Sequence, residues 1–305
     1  MGKVYRKQTI EGVTVPAIIH NSQYFRHNMA VYEDGTVSCW KKVDLEDVPA
    51  VLKRGWLTVS VPNGKSLSVY GACCFEIANA KWSFTNESYF EFIKDTVRSM
   101  NPEMANIYRT TEREREKWEK LRIGFTATPS YCKVNAEKFG YDLLDGDCTN
   151  VFLQTDGALM VSALYAYADG TFTVDGIDGK FFTFDDVEKL FKDKELRVAP
   201  KDGDIISLGA LGTVECASCD SRVKLKEKLK EIENKSLKVQ KKPDAHERCI
   251  RAYHAYLVEP TEFYKERLRK AYEAVPEHER CFLGDMDSRD SDFRRILYSN
   301  SKREV

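Results

Sequence analysis

Two short patterns bring metal-ligating residue types together. Cys216-Ala217-Ser218-Cys219 is a Cys-x-x-Cys, and His246-Glu247-Arg248-Cys249 is a His-x-x-Cys. Each pair can reach a single ion, and three thiolates with one imidazole make a structural zinc set. Cys216, Cys219, His246 and Cys249 are therefore the candidate zinc ligands. The 27 positions from Cys219 to His246 are long for a compact finger, so the Lys-rich stretch between them would have to fold back. A second His-Glu-Arg-Cys, from His278 to Cys281, is a rival pair. Cys216 and Cys219 also have redox-pair spacing, but they end a strand pattern rather than open a helix, where a thiol would be activated. The plainer reading is unligated thiols. It is favoured by Cys73-Cys74, which occupy a roughly similar place earlier in the chain without the spacing.

Asp169, Asp178 and Lys180 are the weak catalytic candidates. Two carboxylates and a lysine can hold Mg²⁺ and activate water for phosphodiester cleavage. Their setting, Asp175-Gly176-Ile177-Asp178-Gly179-Lys180, reads more simply as consecutive turns. Asp285, Asp287, Asp290 and Asp292 do not fit a calcium loop and read as helix-start carboxylates. His20-Asn21 and His27 lie near a hairpin and read as satisfied histidines. No Gly-rich phosphate loop, Gly-x-Ser-x-Gly or His-Glu-x-x-His occurs.

The elements that would position these residues repeat. Val31-Tyr32-Glu33-Asp34-Gly35-Thr36 is echoed by Ala166-Tyr167-Ala168-Asp169-Gly170-Thr171. Leu45-Glu46-Asp47-Val48 is echoed by Phe184-Asp185-Asp186-Val187, Gly64 by Gly203, and Leu67-Ser68 by Ile206-Ser207. The offset rises from 135 at Asp34 to 139 at Asp47, which one insertion near Gly176–Lys180 accounts for. A repeat of this size is one supersecondary unit. Each copy reads as a β-hairpin closed by Asp-Gly, then a helix, then a β-meander. The first helix spans 44–53, with Asp44 as N-cap and Pro49 in its first turn.

The fold class expected is α+β: two diverged copies, a helical insert between them and a C-terminal helical appendage. The divisions are 1–84 and 141–219 for the β-rich repeats, 85–140 for the insert and 220–305 for the charged helical region. In the insert, Phe90, Ile93, Val97 and Met100 mark a helix, and the Thr111–Lys117 charge run reads as a solvated helix that Trp118 and Leu121 dock. In the tail, Leu225, Leu229 and Ile232 give the Arg222–Lys242 stretch a narrow apolar stripe, the remainder reading as a solvated face diluted by Glu227, Glu231 and Glu233. Helices follow at about 244–257, 261–274 and 288–298. Ala271 to His278, with Gly284 to Asp287, resembles a segment recurring in uncharacterised bacterial proteins; the resemblance implies no activity.

The 305 residues carry a formal net charge of -1, which argues against a globally polycationic nucleic-acid binder. No apolar run reaches the ~20 residues of a spanning helix, and nine scattered cysteines do not form a disulfide framework. Cytosolic localisation and no membrane partner are expected. The function expected is a non-enzymatic protein-interaction or regulatory one, using a groove between the repeats lined by Trp40 and Trp56, together with the helical tail. The alternatives are a zinc-stabilised nucleic-acid binder and a metal-dependent hydrolase or nuclease.

Overall fold

The computed structural model describes residues 10–112, 144–221, 223–284 and 291–299. The expectations for Arg113–Lys117, Trp118, Leu121, Cys132, Asp285, Asp287 and Asp290 lie outside the described residues. The chain is mixed α+β and packs as two compact units. One comprises Met1–Tyr70, Cys74–Leu143 and Lys201–Ser218; the other comprises Gly71–Cys73, Leu144–Pro200 and Cys219–Val305.

In the first unit, β1 (Gly12–Asn21) and β2 (Gln23–Tyr32) pair antiparallel from Gly12 opposite Tyr32 to Asn21 opposite Gln23. Alternation of apolar and polar residues turns Val15, Ala17 and Ile19 into the core. Asp34 closes the following turn by accepting the Thr36 N–H at 2.9 Å, and Gly35 supplies the positive φ of 78°. Two short strands follow, β3 (Val37–Ser38) and β4 (Lys42–Val43). Asp44 caps the next segment through the Asp47 N–H at 2.9 Å. That segment is a 3-10 turn, Leu45–Asp47, leading into α1 (Val48–Lys53) with Pro49 in its first turn.

The expected meander is corrected by what comes next. β5 (Leu57–Thr58) returns antiparallel to β1, and β6 (Ser66–Val69) then lies parallel to β2. A parallel pair needs a crossover, and α1 with β5 supplies it. β7 (Cys73–Trp82) and α2 (Asn86–Met100) follow. Thr85 and Ser88 form a capping box, and Tyr89, Ile93 and Val97 are the buried face of α2. The expected stripe began one residue late, at Phe90, because the Tyr89 hydroxyl reaches the Pro16 carbonyl at 2.7 Å and draws that ring inward.

In the second unit, β8 (Gly146–Thr155) and β9 (Ala158–Tyr167) pair from Gly146 opposite Tyr167 to Thr155 opposite Ala158. The Asp169 turn reproduces the Asp34 turn: Asp169 accepts the Thr171 N–H at 2.9 Å and Gly170 has φ 87°. β10 (Phe172–Val174), α3 (Phe184–Lys192, capped by Thr183) and β11 (Leu196–Arg197, paired with β8) complete this layer. In chain order come β12 (Ile205–Ser207) and β13 (Gly212–Asp220), an antiparallel pair whose residues up to Ser218 pack in the first unit.

The tail helices belong to the second unit: α4 (Leu225–Val239), α5 (Ala245–Val258), α6 (Glu262–Ala274) and α7 (Ser291–Tyr298), with a 3-10 segment at Glu277–Phe282. Asp244 and Thr261 cap α5 and α6. Ile232 of α4 enters a core with Val151, Leu164, Phe172 and Phe191. α5, α6 and α7 bury a second cluster that includes Cys249, Leu268, Tyr272 and Phe293. No described helix is long and apolar enough to cross a membrane.

Candidate functional site

Helical spacing puts Lys228, Glu231, Ile232 and Lys235 on neighbouring turns of one side of α4. Lys228 and Glu231 are buried, with 0% and 3% of their surface exposed. A buried ammonium needs an acceptor for each proton, and Lys228 has three. Its Nζ donates to the Gly71 carbonyl at 2.7 Å, to Thr149 Oγ1 on β8 at 2.6 Å and to Glu231 Oε2 at 3.1 Å. Gly71 comes in with φ 72°, and a Cβ there would sit 3.4 Å from Thr149 Oγ1 and 3.7 Å from Lys228 Nζ.

The Glu231 carboxylate takes the Thr149 hydroxyl on Oε1, and His278 Nε2 from the 3-10 segment lies 3.0 Å from Oε2. Burial pushes this carboxyl up, but hydrogen bonds from His278, Thr149 and Lys228 together outweigh it and hold the group at about 2. Burial lowers Lys228, with Glu231 opposing. The pair is ionised, each charge being satisfied by the other and by fixed dipoles. Next to it stands Glu279, whose carboxyl is raised, first by burial and then by the Glu231 charge. A cavity of about 360 Å³ adjoins, lined by Glu279, Asp147, Lys235, Lys238 and His246 among others. Lys235 is bonded to both oxygens of Asp147 at 3.2 Å.

The sequence-derived candidates lie elsewhere. Cys216 is buried on β13 and Cys219 lies near that strand's end. His246 Nε2 is 3.0 Å from the Phe282 carbonyl. Cys249 is fully buried in the tail core, where burial pushes its thiol up to about 12, away from the thiolate that zinc requires. Among the described residues Cys219, His246 and Cys249 form no metal-competent group; the group found is Glu231, His278 and Glu279. The supposed counterpart of Cys216 also shifts. Gly64 N–H bonds Ile77 O at 2.8 Å and Gly203 N–H bonds Cys216 O at 2.8 Å, so Ile77, not Cys73 or Cys74, corresponds to Cys216.

Asp169 is exposed and spends its carboxylate on Thr171 N and Oγ1, which hold its pKa below the usual range. Asp178 and Lys180 are exposed turn residues. Trp40 and Trp56 both belong to the first unit, with rings 6.2 Å apart at 76°, and Trp56 Nε1 donates to the Cys39 carbonyl at 3.1 Å. His27 stands edge-on to Trp40, and His20 stacks on Tyr24 at 4.3 Å.

Sequence reasoning missed Lys228 and Thr149 altogether, took Glu231 for surface charge, and noted His278 only as half of a rival cysteine pair. The one local signal was the repeated His-Glu-Arg-Cys.

A family model described as a domain of unknown function, DUF7638, matches residues 1–104 and 135–243. A second, also described as a domain of unknown function, DUF7639, matches residues 244–304. The chain belongs to the DUF7638 family. No curated protein and no solved structure matches.

Proposed function

We propose that this member of the DUF7638 family is a non-enzymatic interaction protein whose contact element is the α5–α6 hairpin. The observation that carries the reading is the hairpin tip. Leu257, Val258 and Phe263 flank one turn and are 47%, 87% and 71% exposed. Single exposed apolar side chains are ordinary, but three around one turn make a patch, and such patches mark contact sites. The body of the same hairpin buries Cys249, Ala252, Leu268 and Tyr272, so the tip is presented on a rigid support.

Glu259 and Glu262, both exposed, border the apolar residues. The partner that fits is another protein offering an apolar cleft with a basic rim. An acidic tip is unsuited to phosphate backbones, which disfavours nucleic acid at this element. The Lys228 cluster has its hydrogen-bonding capacity filled within the fold, which supports a structural role for it rather than a catalytic one. The reading includes an origin by duplication, because both hairpins, both Asp-Gly turns and both glycine-closed loops recur at the same places.

The test is size-exclusion and cross-linking of the full chain, expressed in its own host, beside Val258→Asp and Phe263→Asp. The reading expects a heteromeric species that both variants lose while their unfolding midpoints stay unchanged. An identical set of species in wild type and variants would remove the hairpin from the role.

A further inference from the structure

We infer that Glu231, His278 and Glu279 form a site for one divalent transition-metal ion, Zn²⁺ being the best chemical match. One ligand atom from each residue lies within 4.8 Å of the other two. These are two carboxylates and an imidazole, a mixed oxygen and nitrogen set that zinc takes in tetrahedral geometry with a water in the fourth position. A tetrahedral ion draws its ligands to about 3.3 Å of one another, so a modest rotation must close the site. Glu279 can make it. Its side chain has no hydrogen bond or ion pair to give up among the described residues, only charge interactions with Glu231, His278, Lys235 and Lys228.

A second observation concerns the imidazole itself. His278 Nδ1 is buried with no hydrogen-bond partner, while Nε2 faces the Glu231 carboxylate at 3.0 Å. With the Nε2 proton given to Glu231, Nδ1 holds a lone pair directed at nothing in the fold. Buried ring nitrogens are ordinarily satisfied. An imidazole oriented by a carboxylate through one nitrogen, with the other nitrogen unspent, is the arrangement that metal-binding histidines use. The carboxylate is itself held in place by Thr149 and Lys228, the outer support that fixes a ligand before the ion arrives.

Charge narrows the choice of ion. The Lys228 ammonium already offsets one carboxylate, so a hard cation held by negative charge has little to gain here. An ion that bonds imidazole is favoured over Mg²⁺ or Ca²⁺. Glu231 lies in the segment matched by DUF7638, and His278 and Glu279 lie in that matched by DUF7639. A bound ion would therefore clamp the 3-10 segment Glu277–Phe282 to α4, joining the two family segments.

The experiment is titration of chelator-treated full-length protein with Zn²⁺ by calorimetry, and with Co²⁺ by visible absorption. Wild type, His278→Ala, Glu279→Gln and the pair Cys216→Ser with Cys219→Ser are compared. Glu231 is left intact because Lys228 depends on it, and circular dichroism verifies that each variant is folded. The expected result is one ion per chain, a cobalt spectrum without thiolate charge-transfer bands, affinity lower by about tenfold or more in His278→Ala and in Glu279→Gln, and no change in the cysteine variant. No binding to wild type, binding unaltered in both the His278 and Glu279 variants, or a thiolate band abolished by the serine changes would overturn the assignment.

Discussion

Glutamine at position 231 would keep the size of the side chain and remove its charge, leaving Lys228 an ammonium with 0% exposure and no counter-ion. Breaking a buried pair from one side costs about 3–5 kcal/mol, and urea unfolding of Glu231→Gln at neutral pH should show a loss of that order. The pH dependence has a definite sign. The Glu231 carboxyl moves from 4.5 to about 2 on folding, so its contribution is complete above about 4.5 and is lost as pH falls towards 2. The stability gap between wild type and Glu231→Gln should close across that window. Glu279 runs the other way. Burial and Glu231 raise it, so its folded form favours the proton and its ionisation at neutral pH opposes folding. Glu279→Gln should therefore unfold at a higher urea concentration than wild type in the absence of metal, and an equal or lower midpoint would contradict this account of its environment. The cluster was illegible in the sequence for a physical reason. Lysine and glutamate on a helix ordinarily face water, and the groups that bury these two come from far away: Thr149 is 79 positions from Lys228, Gly71 is 157, and His278 is 47 from Glu231.

At the scale of elements, the caps and turns were readable because each is a local transaction between neighbouring residues. Asp34–Gly35, Asp169–Gly170, Asp44, Asp244 and Thr261 all act where their types and spacing put them. Thr183 closes a capping box with Asp186 at the start of α3, and its hydroxyl accepts the Asp186 N–H at 3.2 Å. Thr183→Ala should cost about 1 kcal/mol by denaturant unfolding, and no change would mean that the α3 start is held by tertiary packing instead. The face of α4 was misread for the opposite reason. Its apolar stripe at Leu225, Leu229 and Ile232 is real at Ile232, but Leu225 is 40% exposed, and the buried row runs through Lys228, Glu231, Ile232 and Ser236. Hydrophobic periodicity has no means of marking a helix face buried through an ion pair.

For the molecule as a whole, the repeat was legible because it preserves hairpin register: Gly12 sits against the Tyr32 ring and Gly146 against the Tyr167 ring, each the first residue of its hairpin. The parallel placement of β6 beside β2 was not legible, since strand order is set by pairing between segments and not by their internal alternation. Neither was the grouping of Lys201–Ser218 with the first unit. The functional account rests on the α5–α6 tip. Its most direct test is a photoreactive side chain at position 258 in the full chain, irradiated in the native host, with the same label at Tyr70, which is 74% exposed in the other unit, as the comparison. The account predicts one protein adduct of defined mass from position 258, suppressed by Phe263→Asp and absent from position 70. No adduct from 258, or the same adducts from both positions, would contradict it.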